Sequence, residues 1–195
     1  MIAQAVAFVI GAVLDLVILA ALVRFWMQAL RAPSRNPIAQ FSMAITDFAV
    51  RPLRRVIPGL LRLDLASLVV AWILELLLQL VILWLFSASP FENAEVIPVL
   101  VFLAFVVLAR LSIYIFMAAI IIQAVLSWVG PHHPIAPFFD ALTRPFLRPV
   151  QKVVPPIGGI DISPLVVFIF FQLLLMVPIP WLEGVASRMA QRALL

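Results

Sequence analysis

Few side chains in this sequence have the type and spacing that catalysis or metal binding requires. The two histidines, His132 and His133, are adjacent in a loop, and the chain has no cysteine. Neighbouring loop residues rarely face one metal together, so we expect no metal site at this pair. The sequence also lacks nucleophile elbows, phosphate-binding loops, dinucleotide fingerprints and zinc-protease motifs. We therefore predict a protein that is not an enzyme and has no catalytic residues, metal or cofactor.

The clustered cations are the side chains best suited to bind another molecule. They are Arg51, Arg54, Arg55, Arg144, Arg148 and Lys152. At the depth of lipid headgroups, each cation contributes about 1 kcal/mol of attraction to anionic lipid. These positions predict docking of anionic lipid headgroups or of membrane-protein partners, with simple topology anchoring as the alternative. A net charge of only +4 and the lack of aromatic platforms in these segments argue against nucleic acid.

A second set of polar residues lies inside apolar stretches. Its members are Asp15, Arg24, Glu75, Arg110 and Gln172. A charge at the bilayer centre costs about 3 kcal/mol on insertion scales, so each needs a partner or a wet cavity. Depth counted along helices predicts that Arg24 pairs with Glu75 and Arg110 with Asp15. In the alternative, both arginines extend to the membrane surfaces. The polar stripe that contains Glu75 is expected to pack inward against other helices. Gln172 takes the repeat position of Glu75, so both repeats have a polar group at the same depth.

The elements that position these residues are transmembrane helices. Hydrophobic residues make up 66% of the chain and charged residues 11%, and mean hydropathy is +1.22. Such a composition is typical of a membrane protein. Apolar stretches at about 2–30, 65–86, 97–129 and 162–181 are each long enough to cross a bilayer. We predict an all-α fold with four spans. The third stretch is long and contains Arg110, so five spans remain an alternative.

The segments 31–63 and 130–161 separate the spans and carry the clustered cations. Apolar residues recur at helical spacing in both, which predicts helices lying among the acyl chains at the membrane surface. The apolar stripes are Ile38, Phe41, Ile45 and Phe48 in the first segment, and Ile135, Phe138, Phe139 and Leu142 in the second. The positive-inside rule places both segments in the cytoplasm. Residues 178–195 are expected to form an interfacial tail.

The two halves of the sequence repeat each other in register. Pro37, Pro52, Pro58 and Asp64 recur, without a gap, as Pro134, Pro149, Pro155 and Asp161. Prolines and aspartates matched in this way are far less common by chance than matched apolar residues. We therefore predict two parallel repeats, 1–90 and 91–177, each a span, an interfacial amphipathic segment and a second span.

The repeated motif resembles the YggT family of bacterial and plastid membrane proteins. The resemblance rests on Arg24-Phe-Trp-Met-Gln28, on Arg51-Pro-Leu-Arg-Arg-Val-Ile-Pro58, and on Thr143-Arg-Pro-Phe-Leu-Arg148-Pro149. It covers nearly the whole chain. It implies an inner-membrane or thylakoid protein, in a family associated with osmotic-stress tolerance, cytochrome maturation, nucleoid distribution and cell division.

These observations together favour a non-enzymatic protein of the cell inner membrane that assists assembly or organisation of other membrane components. The two basic segments would be its docking surface. The alternative is a small ion or solute channel or transporter linked to osmotic stress, because intramembrane carboxylates such as Asp15 and Glu75 often mark ion paths.

Overall fold

The computed structural model describes residues 1–57, 63–86, 96–129, 133–154 and 161–193, and these ranges contain helices and no strand. The helices are α1 (Ile2–Ala29), α2 (Pro37–Leu53), α3 (Leu65–Phe86), α4 (Val96–Val129), α5 (Ala136–Gln151), α6 (Ser163–Met176) and α7 (Pro178–Ala193). The motif residues Pro58 and Pro155, and His132 of the histidine pair, lie outside the described residues.

The first repeat comprises α1, α2 and α3. Helices α1 and α3 run in opposite directions along each other, and α2 packs against both at the end where α1 stops and α3 starts. Asn36 caps α2, because its side-chain oxygen accepts a hydrogen bond of 2.9 Å from the backbone N–H of Ala39. Pro37 follows at the first helical position, where its missing N–H costs nothing.

The second repeat comprises α4, α5 and α6. Helix α4 is continuous for 34 residues, about 51 Å at 1.5 Å per residue, which exceeds the thickness of the hydrocarbon core. Within the described residues, four helical segments are long and apolar enough to cross a membrane: 2–29, 65–86, 96–128 and 163–189. The all-α fold with four spans is confirmed, and the alternative of five spans is not what the structure shows.

The two repeats pack together within one chain. Helix α4 contacts α1 and α3, and α5 contacts the end of α1. An apolar cluster joins Met27 of α1 and Ala39 of α2 to Phe138 and Phe139 of α5. The indole N–H of Trp26 adds a polar link, since it donates a 3.0 Å hydrogen bond to the Ser112 hydroxyl of α4. Consequently α2 and α5 lie at the same end of the bundle, which we call the basic end.

The two interfacial helices use their apolar stripes differently. In α2 the buried side is Ala39, Ser42, Thr46 and Val50, and the predicted stripe leaves Phe41 and Phe48 exposed on the outside of the bundle. In α5 the predicted stripe residues Phe138, Phe139 and Leu142 are buried in the protein core. The prediction that the α5 stripe faces acyl chains was therefore wrong. An apolar stripe indicates burial, but it does not distinguish lipid from protein.

The fourth span is built from two helices. Helix α6 has 14 residues, about 21 Å, which is too short to cross the hydrocarbon alone. The helix breaks at Val177, before Pro178, and α7 then continues along α4. We predicted an interfacial tail from residue 178. In the structure this segment packs against α4, where Glu183 bonds to Arg110.

Candidate functional site

A buried arginine ties the first repeat together at the basic end. Arg24 of α1 is 4% exposed, and its Nη1 donates to the Thr46 hydroxyl at 3.0 Å and to Asp47 Oδ1 at 2.8 Å. Its Nε lies 3.4 Å from Asp64 Oδ2. That Nε–H is buried and has no hydrogen-bond geometry to any described acceptor, so the contact with Asp64 is electrostatic. One guanidinium therefore joins α1, α2 and the start of α3.

Arg24 does not pair with Glu75 as predicted, nor does it extend to the surface. Depth along the span was a poor guide, because α2 folds back over the end of α1 with Asp47, and α3 begins beside the same end, just after Asp64. Glu75 is 5% exposed and accepts a 2.9 Å hydrogen bond from the Gln79 side chain instead. The second predicted pair was also wrong, since Arg110 Nη1 bonds to Glu183 Oε1 at 2.6 Å rather than to Asp15.

Asp64 is the most buried carboxylate of this site, with 2% of its side chain exposed. It accepts hydrogen bonds from the Arg54 guanidinium and, at 2.6 Å, from the Ser67 hydroxyl. Burial raises the pKa of Asp64, but the hydrogen bonds from Arg54 and Ser67 outweigh burial and leave that pKa below its usual range. The same hydrogen bond raises the pKa of Arg54. Arg54 is thus partly structural, although its side chain is 43% exposed.

Asp47 is shared between Arg24 and a surface arginine. Arg51, one helical turn after Asp47, bonds its Oδ2 at 2.6 Å, and the Arg51 side chain remains 76% exposed. The hydrogen bond from Arg24 is the main cause that lowers the pKa of Asp47. The carboxylate therefore stays ionised, and it neutralises part of the positive charge that the sequence placed in this segment.

The second repeat has a corresponding set of hydrogen bonds, but its donors are neutral groups where the first repeat has arginines. Gln151 donates a 2.9 Å hydrogen bond to Asp161, as Arg54 does to Asp64. The Asp161 carboxylate also accepts the Ser163 backbone N–H at 2.8 Å. Burial raises the pKa of Asp161, but the bonds from Ser163 and Gln151 leave it lowered overall.

A threonine contact completes the correspondence. The hydroxyl of Thr143 bonds to Gln123 of α4, as Thr46 bonds to Arg24 of α1. The uninterrupted repeat register would match Gln123 with Trp26, so sequence comparison alone missed its equivalence to Arg24. The matched threonines were the available signal, because both are buried and both precede the matched Arg51-Pro52 and Arg148-Pro149 pairs at the same spacing.

Some of the six cations form ion pairs within the protein and others do not. Arg144 bonds to Asp140 one turn earlier on α5. Arg55, Arg148 and Lys152 are exposed, and within the described ranges no carboxylate lies at ion-pair distance from them. Of the six cations singled out from the sequence, these three are therefore the most available to another molecule.

The remaining polar residues of the spans are not equivalent. Asp15 and Gln172 are exposed on the outside of the bundle, whereas Glu75 is buried. Matched repeat positions therefore do not have matched surroundings here. Helix α3 packs against α1, α2 and α4, and helix α6 packs against α4, α5 and α7.

A groove of about 520 Å³ opens beside the neutral site of the second repeat. Its polar lining includes Gln123, Gln151 and Asp161, and its walls are apolar residues of α4 and α6. In the part of the chain that the structure describes, histidine and carboxylate side chains do not gather into a group that could hold a metal ion.

The chain matches the family model described as CCB3/YggT over residues 3–85 and again over 100–182. The chain belongs to the CCB3/YggT family. The two matched segments correspond to the two structural repeats, each running from the first span of a repeat through its basic segment into the second. No solved structure is significantly similar to the chain.

The alignments with similar proteins cover most of this chain and most of each relative. A protein of Vibrio alginolyticus, described as an uncharacterised protein in the proC 3′ region, is 34% identical over 87% of this chain and 90% of its own. The YggT protein of Escherichia coli K12 is 30% identical over 86% of this chain and 85% of its own. An uncharacterised protein of Pseudomonas aeruginosa is 34% identical over 82% and 81%. None of these descriptions names an enzymatic activity.

Proposed function

We propose that this protein organises or assists assembly of other membrane components, which it binds through the cations of its basic end. The observation that carries the proposal is the availability of Arg55, Arg148 and Lys152. These residues come from different repeats, yet the fold puts both interfacial helices at one end of the bundle. A partner with an acidic surface would meet both sets of cations together, in the cytoplasm if the positive-inside rule holds.

The internal ion pairs support this proposal. Arg24 and Arg54 hold α1, α2 and α3 in a fixed arrangement through Asp47 and Asp64. A rigid support keeps the exposed cations in place before a partner arrives, which reduces the entropy lost on binding. The cations outside this network are then free to form charge-assisted hydrogen bonds with a partner.

Exposed apolar side chains next to the cations fit a location at the membrane surface. Val56 and Val153 follow α2 and α5 at matched repeat positions, and both are largely exposed. Phe41 and Phe48 of α2 are also exposed. Apolar residues beside cations are typical of helices lying in the headgroup region, so a membrane-associated partner is favoured over a purely soluble one.

The test is affinity purification of tagged protein from its own membranes in mild detergent, with every co-purifying protein identified. The variant Arg55→Ala/Arg148→Ala/Lys152→Ala leaves the internal network intact. We expect it to lose partners that the wild type retains. The matched control, Arg55→Lys/Arg148→Lys/Lys152→Arg, keeps the charges and should keep those partners. If the alanine variant retains the wild-type partners, or if the wild type has none, the docking proposal is wrong.

Cations near the ends of spans set orientation in the membrane, so the loss of three of them requires an orientation control. Because the chain has no cysteine, a single exposed cysteine at Gln40 can be labelled with a membrane-impermeant maleimide. Equal labelling of the wild-type and alanine backgrounds, from the same side, shows that orientation is unchanged.

A transport function is the second candidate, and Glu75 is the observation that favours it. Its carboxylate lies buried within the span α3, and its hydrogen-bond partner is the neutral Gln79. An intramembrane carboxylate of this kind is a candidate ion or proton site. If transport is the function, Glu75→Gln should abolish ion flux in liposomes while Arg55→Ala has no effect. If docking is the function, Glu75→Gln should keep the co-purifying partners of the wild type, whereas the alanine variant of the three exposed cations should lose them.

A further inference from the structure

The first repeat contains a small basic pocket that the docking proposal does not use. It has a volume of about 370 Å³ and lies at the end of α1 where the chain turns toward α2. Its polar lining comes from Arg24, Gln28, Arg31, Ser34 and Arg54, and methionines form much of the rest. Three guanidinium groups converging on one pocket are unusual, because like charges repel and each requires an anion nearby.

The backbone at Arg31 is the second unusual feature of this pocket. Arg31 has a φ of 55°, which is the left-handed conformation. Among the residues that the structure describes, no other non-glycine residue has a positive φ. It ends α1 in a Schellman motif, since the Arg31 N–H bonds to the Gln28 carbonyl at 3.3 Å and the Ala32 N–H to the Met27 carbonyl at 2.8 Å. Glycine is the usual residue at this position. An arginine there sacrifices local stability, so a role for its side chain is the reasonable inference.

The charges around the pocket do not balance. Asp47 and Asp64 are shared among Arg24, Arg51 and Arg54. Across the described residues, no carboxylate lies at ion-pair distance from Arg31. Arg24 also lines the pocket, and its Nε is already in electrostatic contact with Asp64. With two carboxylates shared among three arginines and none beside Arg31, the pocket has an excess of positive charge.

We propose that this pocket binds the phosphate group of an anionic phospholipid. Guanidinium groups match phosphate oxygens in geometry as well as charge, and Ser34 offers a further hydroxyl. The pocket lies at the end of a spanning helix, beside an interfacial helix, where the phosphates of a bilayer are located. The proposal holds whether or not the exposed cations of the basic end bind a protein.

The experiment measures binding of phosphatidylglycerol to the purified full-length protein in neutral detergent, by native mass spectrometry, with phosphatidylcholine as the uncharged comparison. The variant Arg31→Gly removes the cation and places the favoured residue at the left-handed position, so it should fold at least as well as wild type. We expect its affinity for phosphatidylglycerol to fall by about tenfold, the effect of losing one charge-assisted hydrogen bond.

The control is Arg35→Gly, which removes an equal charge from the same loop at an exposed residue outside the pocket. It should bind phosphatidylglycerol as the wild type does. Unchanged affinity in Arg31→Gly, or an equal loss in Arg35→Gly, overturns the proposal. Inorganic phosphate is the remaining arm. If inorganic phosphate binds the wild type more tightly than Arg31→Gly, while phosphatidylglycerol binds the two equally, the ligand is a soluble phosphate and the lipid assignment is wrong.

Discussion

Replacing the aspartate that begins the second span should have very different costs in the two repeats. Asp64 and Asp161 occupy the same repeat position, yet Asp64 is buried among two guanidinium groups and Asp161 is exposed beside neutral partners. Asparagine has nearly the same shape as aspartate, so each substitution removes the charge and little else. The pair of variants Asp64→Asn and Asp161→Asn is therefore an internally matched comparison.

The magnitude follows from the partners of each carboxylate. In Asp64→Asn the buried guanidinium of Arg24 loses one of its two counter-ions, and uncompensated buried charges cost about 3 kcal/mol. The contact with Arg54 adds little, since Arg54 is 43% exposed and screened by water. In Asp161→Asn two hydrogen bonds from neutral donors weaken, which costs about 1 kcal/mol.

The assay is unfolding in mixed micelles with increasing sodium dodecyl sulfate, followed by circular dichroism and extrapolated linearly to zero denaturant. We expect the free energy of unfolding to fall by about 2 kcal/mol more in Asp64→Asn than in Asp161→Asn. Equal losses in the two variants, or a larger loss in Asp161→Asn, would refute the view that only the first repeat is held by buried charge.

The same aspartate predicts a dependence on pH. Because the pKa of Asp64 is lowered in the folded state, the unfolded chain binds its proton first as the solution is acidified. The stabilisation is complete above the ordinary aspartate value of about 3.9 and is lost as pH falls through the folded-state value. The wild type should therefore lose more stability below pH of about 4 than Asp64→Asn does. Parallel losses would show that another group controls acid unfolding.

Three further contacts can be tested by substitution in the same assay. Trp26→Phe removes the hydrogen bond to Ser112 between the repeats and should cost about 1 kcal/mol, whereas the double variant with Ser112→Ala should add little more. Arg110→Glu and Glu183→Arg should each destabilise the protein, and the exchanged double variant should recover much of the loss. Glu75→Gln should be neutral or stabilising, because it replaces a buried ionisable group with a neutral one and keeps a hydrogen-bonding group beside Gln79. A marked loss of stability would contradict this view.

Much of the fold could be predicted because it depends on patterns with a clear period. Hydropathy located the four spans, since a helix that crosses hydrocarbon must satisfy its own backbone and expose apolar side chains. The in-register prolines and aspartates located the two repeats, which the family match over residues 3–85 and 100–182 agrees with. These signals are local in the sequence and need no knowledge of which helices touch.

The errors arose where the answer depended on three-dimensional neighbours. Depth alone assigned Glu75 to Arg24, because nothing in the sequence shows that α2 returns over the end of α1 with Asp47. The buried position of Phe138 depends on which helix face α4 covers. The left-handed backbone of Arg31 could not be predicted either, since propensity disfavours arginine in that conformation.

The distribution of contacts along the chain has a consequence for biogenesis. The network of Arg24, Asp47 and Asp64 lies wholly within the first repeat, and the core around Ile18, Leu22 and Val70 comes almost entirely from α1, α2 and α3. Synthesis proceeds from the N-terminus, and N-terminal units generally fold first. The first repeat can thus reach its final form in the membrane while the ribosome is still translating α4. It then serves as a template on which the more loosely bonded second repeat assembles. A nascent chain arrested after α4, so that α3 has left the ribosome, should already resist protease at α2. The remaining helices would complete the protein by docking onto a finished half.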